Sequence, residues 1–195
     1  MKYEEKKFNL EKLEGISEKT VTEHLKLYAG YVKHLNLVLE KAGDLLKNPD
    51  TQYTGAEMQR RFSFEFNGMR NHEIYFSLLE NGKSGLESAP TLKSAIEKQW
   101  GSFEAWFENF KKIASTRGPG WVMLYKDTVT GNLINSWVDE QHQGLLNGLP
   151  VIIALDVWEH AFFLDYSPAD KMKYVESFFA NLNWSVAEKS FLSAK

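Results

Sequence analysis

The sequence predicts an α+β fold: an N-terminal antiparallel helical hairpin, then a C-terminal α/β part with a small antiparallel three-stranded sheet. Three observations predict it. Apolar residues recur at intervals of three and four through two long segments in the first half of the chain. Short apolar runs between Trp121 and Leu155, punctuated by glycine, proline and asparagine, read as strands. Helix and strand patterns are segregated along the chain, as in α+β folds. The expected units are a helical hairpin domain over residues 1–85 and an α+β domain over residues 86–195.

The first helix is expected from about Ser17 to Leu46. Val21, Leu25, Tyr28, Val32, Leu35 and Leu39 share one face, and Ser17 is placed to cap it. Gly30 inside it costs about 1 kcal/mol relative to alanine unless a neighbour must come close. An Asn-Pro-Asp turn ends that helix or bends it. A second helix is expected from about Ala56 to Glu80, with Met58, Phe62, Phe66, Met69, Phe76 and Leu79 on its apolar face and Gly68 interrupting it. The stretch from Asn81 to Pro90 is the best internal boundary.

Two further helices follow, around Leu92 to Gln99 and from Ser102. The second carries Phe103, Trp106, Phe107, Phe110 and Ile113 on one face. After Gly118-Pro119-Gly120 the pattern changes. Trp121 to Lys126 and Leu133 to Val138 read as two strands joined by a turn, and Val151 to Leu155 as a buried third. Ser167-Pro168 then opens a helix with a cap and a preset first residue. A short helix from Trp184 closes the chain.

Composition excludes several classes of function. The chain has 195 residues, 43% of them hydrophobic, enough to bury a core without disulfides or a structural metal. Cysteine is absent, which removes disulfides, thiolate metal sites and Cys nucleophiles. The net charge is −3 and no basic stripe is present, so no nucleic-acid partner is expected. No apolar run reaches the ~18 residues of a membrane span. The charged opening stretch lacks the apolar segment of a secretory signal, and the expectation is a cytoplasmic protein. Neither a Walker loop nor G-x-G-x-x-G occurs.

The five histidines carry the chemical information: His24, His34, His72, His142 and His160. His24 and His72 lie on or beside the apolar faces of the two long helices, where antiparallel packing can bring them together. Asp156 ends the third strand run, and His160 follows it by four residues. Three imidazoles and one carboxylate make a coherent site for Fe, Mn or Zn. Alternatives stand beside that reading. A histidine on an apolar face is commonly a satisfied core residue. A non-haem iron oxygenase, a zinc hydrolase and a non-catalytic helical interaction module remain open, the hydrolase weakened by the absence of H-E-x-x-H.

The run Asp156-Val157-Trp158-Glu159-His160-Ala161 resembles the signature of the iron/manganese superoxide dismutases. Further segments are similar in order along the chain. These are Ser17 to Thr20 followed by His24, Asn71-His72-Glu73 with Tyr75-Phe76, Trp100 to Phe103, Gly118 to Trp121 with Leu124, and Asn183-Trp184.

The resemblance implies one Fe or Mn ion per subunit, held by His24, His72, Asp156 and His160. It implies superoxide as substrate, dioxygen and hydrogen peroxide as products, and a homodimer, with a tetramer possible in the family. Glu159 would bond His160 of the partner subunit. Tyr31, within Tyr31-Val32-Lys33-His34-Leu35-Asn36, would belong to a proton relay, and Trp121, Trp158 and Phe76 would wall the pocket. His142, then Gln141, are the candidates for bonding metal-bound solvent.

Two departures from the family pattern stand out. The stretch from His24 to Tyr31 is one residue short and lacks the histidine pair common before that tyrosine. A local distortion of the helix is expected there, with Tyr28 filling the space of an entrance histidine. Gly68 stands where iron types commonly carry a glutamine, which is the manganese-like state.

Overall fold

The structure, a computed structural model, describes residues 2–194. A strap without helix or strand, residues 2–16, turning at 14–15, precedes two long helices, α1 (Glu18–Lys47) and α2 (Gln52–Ser77). Helices α3 (Pro90–Trp100) and α4 (Phe103–Ala114) follow. Then come strands β1 (Gly120–Lys126), β2 (Leu133–Asp139) and β3 (Val151–Asp156), and helices α5 (Lys171–Ala180) and α6 (Trp184–Ser193). Among the described residues no helix is long and apolar enough to cross a membrane.

The two long helices form where the periodicity places them, but of the expected α1 face Leu39 is exposed and Val21 and Leu25 are only half-buried. Ser17 caps α1, its hydroxyl accepting the Thr20 N–H at 3.2 Å. Thr20, His24, Tyr28, Val32, Leu35, Val38 and Ala42 are the buried face of that helix. The link to α2 is short, which makes the pair antiparallel. Helix α2 begins four residues earlier than its apolar pattern, at Gln52. Gly55 explains how the two helices close so tightly: a Cβ there would sit 2.8 Å from the Leu46 backbone nitrogen.

Helix α1 runs unbroken through His24 and Tyr31, so the distortion expected there is absent. The reason is geometric. Seven residues at about 100° each fall about 20° short of two turns, so both side chains leave one face. The shortened spacing keeps the helix regular.

The sheet is antiparallel throughout, in the order β2-β1-β3. Its central strand is the most buried, which suits a segment that reads Trp-Val-Met-Leu-Tyr. In register, Trp121 of β1 faces Val138 of β2 on one side and Asp156 of β3 on the other. Strand β3 thus ends on Asp156 itself, and its last residue is presented to the hairpin. Ser102 caps α4 as expected, accepting from Ala105 N–H at 3.1 Å. Ser167 does not cap α5, because its hydroxyl bonds Asp170 Oδ2 at 2.7 Å and Pro168–Asp170 form a 3-10 turn instead.

The core is continuous from the hairpin to the sheet. Trp106, Trp121, Tyr125, Phe110 and Phe178 are fully buried. Burying each large apolar side chain is worth roughly 1.5–3 kcal/mol. These rings pack into one core cluster with Leu155 and Val157, the neighbours of Asp156.

Candidate metal centre

Four side chains from four elements meet between the hairpin and the sheet. His24 comes from α1, His72 from α2, Asp156 from the end of β3, and His160 from the turn 159–161. Each offers one ligand atom, and those four atoms lie within 4.8 Å of one another. Nε2 of His24 and Nε2 of His160 are each 3.1 Å from Asp156 Oδ2, and Nε2 of His72 is 3.5 Å from it. His24, His72 and Asp156 are buried, and His160 is partly exposed.

The donor set fits a cation better than it fits itself. His72 Nδ1 lies 2.6 Å from the Gly68 carbonyl oxygen and donates to it. That bond leaves Nε2 as the bare acceptor, buried and without a hydrogen-bond partner. An orphaned imidazole lone pair facing a carboxylate costs free energy unless a metal accepts it. Burial pushes the His72 imidazole down to about 3, with the neighbouring His24 adding to the effect. Burial lowers His24 as well, against the pull of Asp156. Burial opposes ionisation of Asp156, but His160 and His24 outweigh it and hold the carboxyl well below the usual carboxylate range. Neutral imidazoles and an anionic carboxylate are the protonation states a divalent or trivalent first-row ion requires.

The cage is braced from behind. Asp156 Oδ1 accepts the Trp158 N–H at 2.8 Å, and the Tyr174 hydroxyl donates to the Asp156 carbonyl at 2.8 Å. Aromatic walls surround the imidazoles. Phe76 lies 5.0 Å from His24, Trp121 lies 5.1 Å from His72, and Trp158 stacks on His160 at 5.6 Å.

A chain of hydrogen bonds runs along one side. Trp121 Nε1 donates to Gln141 Oε1 at 2.9 Å, and Gln141 Nε2 donates to the Tyr31 hydroxyl oxygen at 3.0 Å. Asn71 Nδ2 donates to the Gln141 carbonyl at 2.9 Å. The turn carrying Gln141 is also fixed by Glu140, whose φ of 50° reverses the chain. The Trp158 indole donates to the Glu140 carbonyl at 3.2 Å. The Tyr31 ring lies over Gly68, so closely that any Cβ at 68 would enter it. Burial, then the Asp156 charge, raise the Tyr31 hydroxyl above its ordinary range, so it stays protonated at neutral pH.

The other candidates read from the sequence fall outside the cage. His142 takes no part in the Gln141 chain. Its ring packs edge-on to Phe64 at 5.7 Å, and its Nδ1 is buried without a hydrogen-bond partner. Glu159 is exposed, and its carboxylate has no hydrogen bond or ion pair among the described residues. Tyr28 is the residue expected in the space of an entrance histidine. It is buried, with its hydroxyl turned to the strap and to Glu73. Two supporting residues, Asn71 and Tyr174, have no role that sequence reasoning assigns. Asn71 stands beside a candidate ligand, which is the signal that could have found it. Tyr174 has no such signal, because it sits in an ordinary apolar helix.

Residues 88–190 match the family model described as "Iron/manganese superoxide dismutases, C-terminal domain". The chain is 36% identical to "Superoxide dismutase [Fe]" of Cupriavidus metallidurans, covering 100% of this chain and 98% of that protein. It is 35% identical to "Superoxide dismutase [Mn/Fe]" of Aeropyrum pernix, over 85% of this chain and 78% of that one. It is 32% identical to "Superoxide dismutase [Mn], mitochondrial" of Aspergillus niger, over 95% and 90%. With a sulfur-free cage of three imidazoles and one carboxylate at the end of β3, and relatives matched along nearly its whole length, the chain belongs to the iron/manganese superoxide dismutase family.

Proposed function

We propose that His24, His72, Asp156 and His160 hold the single Fe or Mn ion of a superoxide dismutase. The observation that carries this is the convergence of four ligand atoms within 4.8 Å, one of them the orphaned Nε2 of His72. The activity is the dismutation of two superoxide anions with two protons to dioxygen and hydrogen peroxide. A bound Fe or Mn ion supplies reversible one-electron chemistry between its +3 and +2 states. The protein's own residues do the rest. Trp121, Trp158 and Phe76 crowd the imidazoles, which favours a small anion over a larger reductant.

Gln141, rather than His142, is the residue we propose for bonding metal-bound solvent. It is fully buried, and its amide is oriented at both ends by Trp121 and Tyr31. One of its two amide hydrogens goes to Tyr31, which leaves the other for a small oxygen ligand. Because Tyr31 accepts from Gln141, its own proton is free to be given to a reduced product. We assign proton delivery to it.

The homodimer and the cytoplasmic location are part of the same proposal. Glu159, Phe163 and Leu164 are exposed on the short segment around His160. An apolar pair near a carboxylate with no partner among the described residues suits a second copy of this chain, with Glu159 reaching His160 of the partner subunit. We also propose that the chain divides at 85/86, so that each part supplies two ligands. Fractionation of cells expressing the chain checks the location.

The deciding experiment is metal-resolved activity. The chain is stripped, reloaded separately with Fe and with Mn at verified stoichiometry, and assayed for superoxide consumption. Activity in one form identifies the working metal, and activity in both identifies a cambialistic enzyme. Stoichiometric metal with no activity in either form overturns the assignment.

A further inference from the structure

The cage is assembled from two halves. The hairpin supplies His24 and His72, and the C-terminal part supplies Asp156 and His160. The strap, residues 2–16, fastens both. Its far end is tied to the C-terminal part. Asn181 of the α5 terminus exchanges two hydrogen bonds with the Glu14 backbone, at 2.8 and 2.7 Å, and the Tyr166 hydroxyl donates to the Gly15 carbonyl at 2.6 Å. Its near end is tied to the hairpin. Tyr3 exchanges two hydrogen bonds with Asn36, at 2.8 and 2.9 Å.

Between those ends lies a clasp. The Tyr28 hydroxyl accepts the Lys6 backbone N–H at 2.8 Å and donates to Glu73 Oε1 at 3.3 Å. Burial pushes that hydroxyl up to about 12, so it remains a donor at neutral pH. Glu73 Oε2 is paired with Arg70 Nη1 at 2.7 Å and Lys6 Nζ at 3.0 Å. Glu73 is only 6% exposed, whereas Lys6 and Arg70 are 59% and 42% exposed. One carboxylate thus joins α1, α2 and the strap at a single point. Tyr28 lies one helical turn from His24, and Glu73 is the residue after His72.

The clasp reaches the cage through stacked rings. Once Lys6 is held, Phe8 is seated 5.8 Å from Tyr28 and 5.3 Å from Phe76. Phe76 in turn lies 5.0 Å from the His24 ring and 6.2 Å from that of His72. Packed aromatic rings have few alternative arrangements, so releasing the strap removes the support behind both hairpin ligands.

We propose that Glu73 and Tyr28 are positioning residues for the metal cage. By clasping the strap they lock the hairpin ligands against the C-terminal ones and set how slowly the metal leaves. This rests on the reading of the cage as the metal site. Part of the clasp is an ion cluster with exposed cations, so it loosens as salt rises.

The test is metal release from the loaded protein. The Mn-loaded parent, Tyr28→Phe, Glu73→Gln and a control, Lys26→Ala, are held with excess chelator at low salt and at about 1 M salt. Protein-bound metal is measured over time. Lys26→Ala removes an exposed ion pair with Glu23 on α1 and should behave as the parent. Tyr28→Phe is expected to release metal on the order of tenfold faster, the scale of one lost hydrogen bond to a charged group. Glu73→Gln keeps an acceptor for Tyr28 and loses the ion pairs, so it tests the clasp by a second, independent change. Its release at low salt should match that of the parent at high salt, and further salt should leave it unmoved. A clasp that only stabilises the strap would lower the melting temperature and leave release at the parent rate, and that result overturns the inference. So does a Glu73→Gln protein that keeps the parent's salt dependence. A parent that binds no metal overturns the reading of the cage, and this inference with it. Stoichiometric binding with release unchanged in both variants overturns the inference alone.

Discussion

Gln141 Nε2 donates to the Tyr31 hydroxyl at 3.0 Å, joining the turn after β2 to the face of α1 that also carries His24. The same amide accepts from Trp121, so its orientation is fixed: oxygen toward the indole, nitrogen toward the phenol. This bond joins Tyr31, proposed for proton delivery, and Gln141, proposed for bonding solvent, into one unit.

Breaking that unit separates its function from the cage. Gln141→Leu should retain stoichiometric metal and lose activity by about 10–100-fold, the usual scale for groups that orient a metal site from outside the ligands. His142→Ala should retain metal and stay close to parental turnover. Metal content and turnover, measured together, check both. If the order were inverted, the solvent-bonding role would return to His142.

The cage residues themselves behave differently. His160→Ala and His72→Ala should each lose bound metal and activity together, because each removes one of four donors. Full metal occupancy in either variant would refute the ligand assignment.

Gly68 is a steric requirement. A methyl group at 68 enters the Tyr31 ring, so Gly68→Ala must displace that ring or the helix. The cost of such overpacking is about 1–3 kcal/mol. A lower melting temperature, with a change in tyrosine environment seen by near-ultraviolet circular dichroism, is the expected result.

The metal-free chain should become less stable as pH falls below about 6.5, the ordinary histidine value. In the folded state burial depresses His72 to about 3 and lowers His24, whereas both titrate near 6.5 when unfolded. Below that pH the unfolded chain binds more protons than the folded one, so stability falls with pH through the window down to the folded values. Urea unfolding of the metal-free chain at several pH values measures this. His72→Phe should flatten the dependence.

Phe163 is 58% exposed and Leu164 is 47% exposed, beside Glu159. If this surface closes on a second copy, Phe163→Glu should shift the sedimentation coefficient from dimer to monomer while leaving the hairpin folded. A parent chain that sediments as a monomer would remove the dimer from the proposal.

Much of this molecule is written locally. The two long helices follow from apolar spacing, the α1 cap from Ser17, and the strands from short apolar runs between glycines and prolines. Those signals need only a few neighbouring residues, which is why they can be read without a fold. The four cage residues were also legible, because the run from Asp156 to His160 carries a specific family pattern and His24 and His72 fall on buried helix faces.

Tertiary structure decided what spacing could not. Gln141 and His142 are adjacent and both can donate a hydrogen bond, although they differ in donor geometry and proton affinity. Only the left-handed turn at Glu140 and the bonds from Asn71 and Trp158 determine which of them faces Tyr31. Tyr28 read as a substitute at an entrance, yet its hydroxyl is engaged by the strap and Glu73. Helix α2 starts before its apolar pattern because Gly55 lets two backbones meet, a contact invisible in one segment alone. In each case the partner lies far along the chain. A residue's type sets which bonds it can make, and the packing of distant elements determines which of those bonds is made.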